Sequence, residues 1–347
     1  MGRRDPLSRG GFADSVAVMI VPLTPPPGAT HLVGDPTDWM KAPLPLAQVP
    51  ASLEVPDDCW VELAWLDARG KVLADPTLPL PAGNPWFPAA RAVAGPRYRP
   101  DPLLAAIDAA AVGRVTRHKL TSAALGQVRR LMLWSPAGHE EAALPLVVAQ
   151  DGVATRYLAR LDRILATLTA RGEARPAHVL FLEPVDRDVE YRFSEPYRAF
   201  VLDEALPLAE RHVRCTGERV ALGCSLGGLV SAWLAWTRPD VFQTVVALSG
   251  AFLLGPGDDP SDPFHGSEWL VHQVRTSAPK PLRWALDCGT LEWLTPVNRR
   301  LHAALARAGY DVRYGEHPSG HSWTTWKNAM PGLLRRALGA PPGAPPA

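Results

Sequence analysis

Ser225 stands in Gly223-Cys224-Ser225-Leu226-Gly227, with the apolar run Val220-Ala221-Leu222 before it and Gly228-Leu229-Val230-Ser231-Ala232 after it. A hydroxyl is a weak nucleophile. It attacks a carbonyl only when a neighbouring base draws off its proton and its oxygen is held where the substrate can reach it. A G-x-S-x-G segment between a strand and a helix does the holding, because the tight turn lifts the serine above the strand end on a strained backbone. Glycine is needed at 223 and 227, where strand and helix approach too closely for side chains. The Leu226 amide at the start of the helix is then directed at the substrate oxygen and forms half of an oxyanion hole. Without chemistry the same letters are a glycine-rich turn carrying an incidental serine. The apolar strand before and the helix-forming run after favour the nucleophile.

The base for a serine in this context follows it along the chain, after the carboxylate that orients it. His321, in Pro318-Ser319-Gly320-His321-Ser322-Trp323, falls between the last strand-like run and the last helix-like run. His265, His272, His302 and His317 are its rivals. His317 and His321 form H-x3-H, but Pro318 and Gly320 prevent the helix that would bring both rings to one face, so no metal site is expected. Glu292, in Cys288-Gly289-Thr290-Leu291-Glu292 beyond the run Trp284-Ala285-Leu286-Asp287, is the chosen acid, with Asp287 as the alternative. The second oxyanion donor is expected from Gln150-Asp151-Gly152-Val153, at an amide of Gly152 or Val153, with a plain Asp-Gly turn as the other reading. Cys224 and Cys288 read as small buried hydrophobes, and no C-x-x-C pair occurs among the four cysteines.

Two textures in the chain must position these groups. Residues 16–98 carry short apolar runs, 16–21, 31–33, 60–66 and 71–73, separated by Pro, Gly and Asp. Runs of that length and spacing suggest a small β-sandwich, and the prolines exclude long helices. From about residue 100, apolar strands at 128–135, 144–149, 178–182, 220–223, 245–248, 284–286 and 312–314 alternate with helical segments at 157–170, 197–212, 227–236, 296–308 and 323–338. Alternation of that kind predicts an α/β architecture with a mostly parallel sheet and the active groups at the carboxyl ends of its strands. The expected domains are a β-sandwich at 13–99, an α/β catalytic domain at 100–340 and a flexible tail at 341–347. Thirty-six basic residues against 35 acidic ones leave a formal charge of +1 in 347 residues, so the chain lacks the global field that non-specific nucleic-acid or membrane-surface binding uses. No apolar run reaches the length of a membrane span or a signal peptide, and a cytoplasmic location is expected.

Several motifs occur together in order: Gln150-Asp151-Gly152, Arg187-Asp188-Val189-Glu190-Tyr191-Arg192, Ser194-Glu195-x-Tyr197, Glu204-Ala205-Leu206-Pro207, the serine turn, Ser249-Gly250-Ala251-Phe252, and Ser319-Gly320-His321-Ser322-Trp323-x-x-Trp326-Lys327. The set resembles the enterochelin esterase group within the esterase D-like α/β-hydrolases, and the last motif is its most specific piece. The segment 32–39, with 57–63 and 73–76, is similar to the immunoglobulin-like early-set domain that precedes such esterases, and to glycogen-type carbohydrate-binding modules. The resemblance implies Ser225 as nucleophile, His321 as base, no cofactor, and a small-molecule ester, a ferric catecholate trilactone, as substrate after uptake. It leaves the acid open, since some members work with a dyad. Arg187, Arg192 and Trp323 are the expected substrate-binding side chains, the arginines serving an acidic substrate or, more plainly, surface ion pairs. Trp39, Trp60 and Trp65 either stack on a ligand or fill the β core. The competing readings are a general carboxylesterase, a mycolyltransferase-like enzyme, and a non-catalytic carbohydrate- or partner-binding protein.

Overall fold

The computed structural model describes residues 17–109 and 113–339. The expected domain start at 13 and the tail at 341–347 lie outside the described residues. The chain divides into two compact units: one runs to Pro100 and takes in Gly289–Thr295 and Glu316–Thr325, and the other holds Asp101–Cys288, Pro296–Gly315 and the residues from Trp326 on.

The first unit is built on β1 (Val18–Pro22), β2 (Ala29–Gly34), β3 (Leu44–Pro45), β4 (Ser52–Pro56), β5 (Trp60–Asp67), β6 (Val72–Leu73), β7 (Leu80–Pro81) and β8 (Arg91–Ala94). β1 and β4 pair as one antiparallel sheet; the other has the order β3-β2-β5-β8-β7, with β6 also on β5. Strand periodicity explains the packing. Val61, Leu63 and Trp65 leave one face of β5 to join Val21, Leu53 and Val55 from the small sheet. Ala64 and Leu66 leave the other face to pack with Trp39, Ala82 and Ala92. Trp39 and Trp65 are therefore core residues; Trp39 stacks on Phe87 at 4.4 Å, and Trp65 Nε1 donates to Asp75 at 2.9 Å.

The second unit carries β9 (Arg114–Ser122), β10 (Gln127–Ser135), β11 (Leu144–Ala149), β12 (His178–Leu182), β13 (Cys215–Cys224), β14 (Thr244–Leu248), β15 (Arg283–Gly289) and β16 (Asp311–His317), in the sheet order β16-β15-β14-β13-β11-β12-β10-β9. The last residues of β15 and β16 count with the first unit. β12, β11, β13, β14 and β15 run parallel to one another, and β10 and β9 add antiparallel strands beyond β12. β11, β12 and β14 are buried at every residue, as strands covered on both faces must be. The helices are α1 (Gly152–Tyr157), α2 (Leu161–Ala170), α3 (Arg187–Tyr191), α4 (Glu195–Ala199), α5 (Leu206–His212), α6 (Leu226–Thr237), α7 (Trp269–Thr276), α8 (Thr295–Arg307) and α9 (Trp323–Leu338). This is the expected α/β architecture behind an all-β N-terminal part.

Departures from expectation have identifiable causes. β9 is a polar, half-exposed edge strand, Arg-Val-Thr-Arg-His-Lys-Leu-Thr-Ser, without the apolar run that marks a buried strand. The helix expected at 157–170 breaks before α2, where Arg160 takes a left-handed conformation (φ 59°) and reaches Asp108. The one expected at 197–212 passes through a wide π-helical turn, Phe200–Ala205, because Pro207 has no N–H and its ring displaces the carbonyl one turn earlier. α3 and α7 are too short for their periodicity to register in the sequence.

Candidate active site

β13 delivers its last residue, Cys224, directly to Ser225, which holds φ 58° and ψ −123° and is followed at once by α6. A non-glycine residue in that region is strained, and the surrounding hydrogen bonds keep it there. Ser225 N–H donates to the Leu248 carbonyl of β14 at 2.9 Å, and the Ser225 carbonyl accepts from Leu229 and Ala251, each at 3.1 Å. A Cβ on Gly223 would lie 2.2 Å from the Gly227 carbonyl oxygen, so this close approach of strand to helix admits glycine alone. Leu226 is the first helical residue of α6, placing its amide among the donors that a helix start leaves without intrahelical acceptors.

The loop after β11 packs against this turn. Arg187 grips Asp151 with two hydrogen bonds, Nε to Oδ1 at 2.7 Å and Nη2 to Oδ2 at 2.9 Å, and Nη2 also donates to the Cys224 carbonyl at 3.2 Å. Burial works against the Arg187 charge, but the adjacent Asp151 carboxylate more than offsets it and moves the guanidinium pKa upward. Tyr191 Oη accepts from the Asp151 N–H at 2.9 Å, and Tyr197 Oη donates to Gln150 Oε1 at 2.6 Å. Burial holds both phenols well above their ordinary pKa, so they remain neutral. A Cβ on Gly227 would come within 2.9 Å of Asp151 Oδ2. Sequence reading missed this brace, whose partners lie 36 residues apart.

The expectations for the binding side chains and for Val153 change. Arg187 is an ion-paired support of the serine turn and not an uncommitted cation for substrate; Arg192 lies 3.6 Å from the exposed Asp188. Val153 N–H donates to Glu183 Oε2 at 2.8 Å, which removes it as the second oxyanion donor. Gly152 is close to β12, where a Cβ would lie 2.9 Å from Leu182 N, so its small size serves strand packing. Trp323 is buried and packs with Trp86, ring centres 6.2 Å apart, instead of presenting its face to a ligand.

In the first unit, His321 Nδ1 hydrogen-bonds Glu292 Oε2, and Glu292 Oε1 accepts the Gly289 N–H at 2.9 Å. The carboxylate is buried and the imidazole retains 13% of its side-chain surface. A carboxylate on Nδ1 fixes the tautomer that leaves Nε2 as acceptor, which is the state a general base requires. The Trp293 ring lies against the imidazole, centres 4.5 Å apart. Asp287 is placed elsewhere, its backbone carbonyl accepting from Ser249 at 2.7 Å and its Oδ2 close to Gly315. In the second unit Trp326 is buried and donates from Nε1 to Ser249 Oγ at 2.9 Å, anchoring α9 beneath the loop after β14.

The family model described as Esterase matches residues 122–337. The iron(III) enterobactin esterase of Dickeya dadantii (strain 3937) is 29% identical over 232 residues, covering 62% of this chain and 53% of that protein. The chain thus spans about half the length of that curated relative. Among solved structures, the enterobactin esterase FES from Shigella flexneri, crystallised in the presence of enterobactin, superposes with a TM-score of 0.72 at 17% identity over 92% of both chains. An enterochelin esterase structure from Shigella flexneri gives a TM-score of 0.70 at 18% identity, over 92% of this chain and 91% of that one. These likenesses bear out the resemblance read from the motifs. Since the family match runs from the last residue of β9 nearly to the end of α9, the chain belongs to the Esterase family and has its α/β-hydrolase fold.

Proposed function

We propose that this protein is a serine esterase in which Ser225 is the nucleophile, His321 the general base and Glu292 the acid that orients it. The strained backbone of Ser225 between β13 and α6 carries the reading. Ser225 Oγ attacks the ester carbonyl while His321 Nε2 takes its proton; the tetrahedral oxyanion is stabilised by the Leu226 amide, with the Gly152 amide as second donor. His321 then gives the proton to the leaving alcohol, and a water attacks the acyl-serine by the same route in reverse. Each oxyanion donor contributes ~2.7–4 kcal/mol to the barrier reduction.

For substrate, the reading is a catecholate trilactone siderophore, opened in its ferric form after uptake to loosen its hold on iron. The names of the similar proteins and the likeness along both the β part and the catalytic part support it. A general carboxylesterase acting on neutral esters is the second reading. The bidentate pairing of Arg187 with Asp151 favours it, since it commits one of the two cations expected to meet an anionic ligand.

Ser225→Ala is expected to abolish p-nitrophenyl ester turnover and labelling by a fluorophosphonate; retention of either overturns Ser225 as the nucleophile, whereas a wild-type chain that neither turns over the ester nor takes the label leaves a non-catalytic binding protein as the reading. Incubation with apo and ferric tri-catecholate lactones and with simple esters, followed by mass spectrometry, separates the substrates. Absence of lactone opening removes the siderophore proposal.

A further inference from the structure

The two segments that carry the base and the acid, Gly289–Thr295 and Glu316–Thr325, belong to the same compact unit as the N-terminal β strands. Their attachments are specific. Trp60 N–H donates to the Pro318 carbonyl at 3.1 Å, and Trp60 pairs with Ser319 as an isolated parallel bridge, so β5 extends its hydrogen bonding onto the residues just before His321. Trp293 N–H, next to Glu292, donates to Asp38 Oδ1 at 3.1 Å, and Leu291 enters the apolar cluster of Val61, Leu63 and Trp65.

Two buried carboxyl groups organise this attachment. Asp35 accepts the Glu62 N–H at 2.8 Å and Trp39 Nε1 at 3.2 Å, and it lies so close to Gly320 that a Cβ there would sit 2.0 Å from Oδ1. Glu62 accepts from Trp60 Nε1 at 3.0 Å and from Asn84 Nδ2 at 3.2 Å. Asp35 thus seats the residue before His321, and Glu62 holds the side chain of Trp60, whose backbone N–H donates to Pro318. A buried carboxyl group with its acceptor sites filled defines one geometry, because any displacement leaves polar atoms unpaired in a dry environment.

We propose that the N-terminal β unit is the scaffold that orients the catalytic base, with Asp35 and Glu62 as positioning residues for His321. This gives the β unit a part in catalysis that needs no ligand of its own. The inference rests on His321 being the general base.

The test uses the full chain and a p-nitrophenyl ester, with the proton NMR resonance of the His321 Nδ1–H held by Glu292 as a second readout. Asp35→Ala is expected to lower kcat by about ten- to hundredfold with little change in KM, as a misoriented catalytic group does, and to shift or broaden that resonance. Val21→Ala, which trims the apolar core of the same unit, is expected to lower thermal stability while leaving kcat and the resonance unchanged. Should Asp35→Ala fail to fold, Asp35→Asn retains the volume and carries the same readouts. An Asp35 variant with wild-type kcat and an unmoved resonance overturns the positioning role, as does a loss of kcat equal to that of Val21→Ala. His321→Ala separates the two claims. If it keeps turnover, the base assignment is wrong; if it is inactive while the Asp35 variant is fully active, only the positioning role is lost.

Discussion

In the second unit Ser225 is framed by its chain neighbours, with β13 ending one residue before it, α6 beginning one residue after it and the glycines at 223 and 227 allowing the turn, and hydrogen bonds with Leu248 and Ala251 add to that frame. In the first unit the His321–Glu292 pair has no such local frame. Its segments leave β15 and β16 and are fixed by contacts with Asp35, Asp38 and Trp60, more than 200 residues earlier in the chain. A nucleophile must be strained and exposed at one point, which backbone geometry accomplishes over a few residues. A base must have one ring orientation and tautomer, which needs partners from several directions.

The contrast can be broken most forcefully at the acid. Glu292→Gln keeps the shape but removes the charge that stabilises the imidazolium, and kcat is expected to fall by about 10³–10⁴. Asp287→Asn is expected to cost far less, and steady-state kinetics on both variants decides between the two carboxylates. Next in size is Gly223→Ala, whose Cβ meets backbone 2.2 Å away. The strand-to-helix turn must open, with a loss of about 3 kcal/mol or more in denaturant unfolding. Gly227→Ala, which meets a side-chain oxygen at 2.9 Å, is expected to be milder.

Arg187→Met tests how much the Asp151 brace adds to the serine turn. It leaves the buried Asp151 without its bidentate partner, and a loss of about 1–3 kcal/mol in stability is expected, with slower fluorophosphonate labelling of Ser225. The smallest effects concern pH and have opposite signs in the two units. Burial raises the Glu62 pKa above its usual 4.5 despite the donors around it. Its contribution to stability is therefore complete below pH 4.5 and is lost as pH rises through its folded-state value. Burial lowers the His178 pKa below its usual 6.5, so that contribution is present above pH 6.5 and is lost as pH falls through the lower folded-state value. Unfolding curves across this range should flatten on the alkaline side in Glu62→Gln and on the acid side in His178→Asn.

The parts legible in the sequence are those whose cause is local. The buried strands β11, β12 and β14 and the helix α9 follow from apolar runs and periodicity, and the serine turn follows from its glycines. The polar edge strand β9 was not legible, because an exposed strand has no apolar signature. The fate of Arg187 was not legible either: an arginine in a motif reads equally as a ligand for substrate or as half of an ion pair, and only the proximity of Asp151 settles which. Val153 and Trp323 illustrate the same limit, since an amide or an indole is available to a ligand only if the fold leaves it so.

Residue order by itself determined the α/β alternation, the β texture of the N-terminal part and the turn that strains Ser225, since each arises from steric and hydrophobic preferences acting over a few residues. Tertiary structure alone decided that Glu292 meets His321, that Arg187 is bound to Asp151, and that the loops bearing His321 and Glu292 belong with the N-terminal strands. Hydrogen bonds and ion pairs form between whatever groups the folded chain brings within about 3 Å. Sequence separation does not enter that condition.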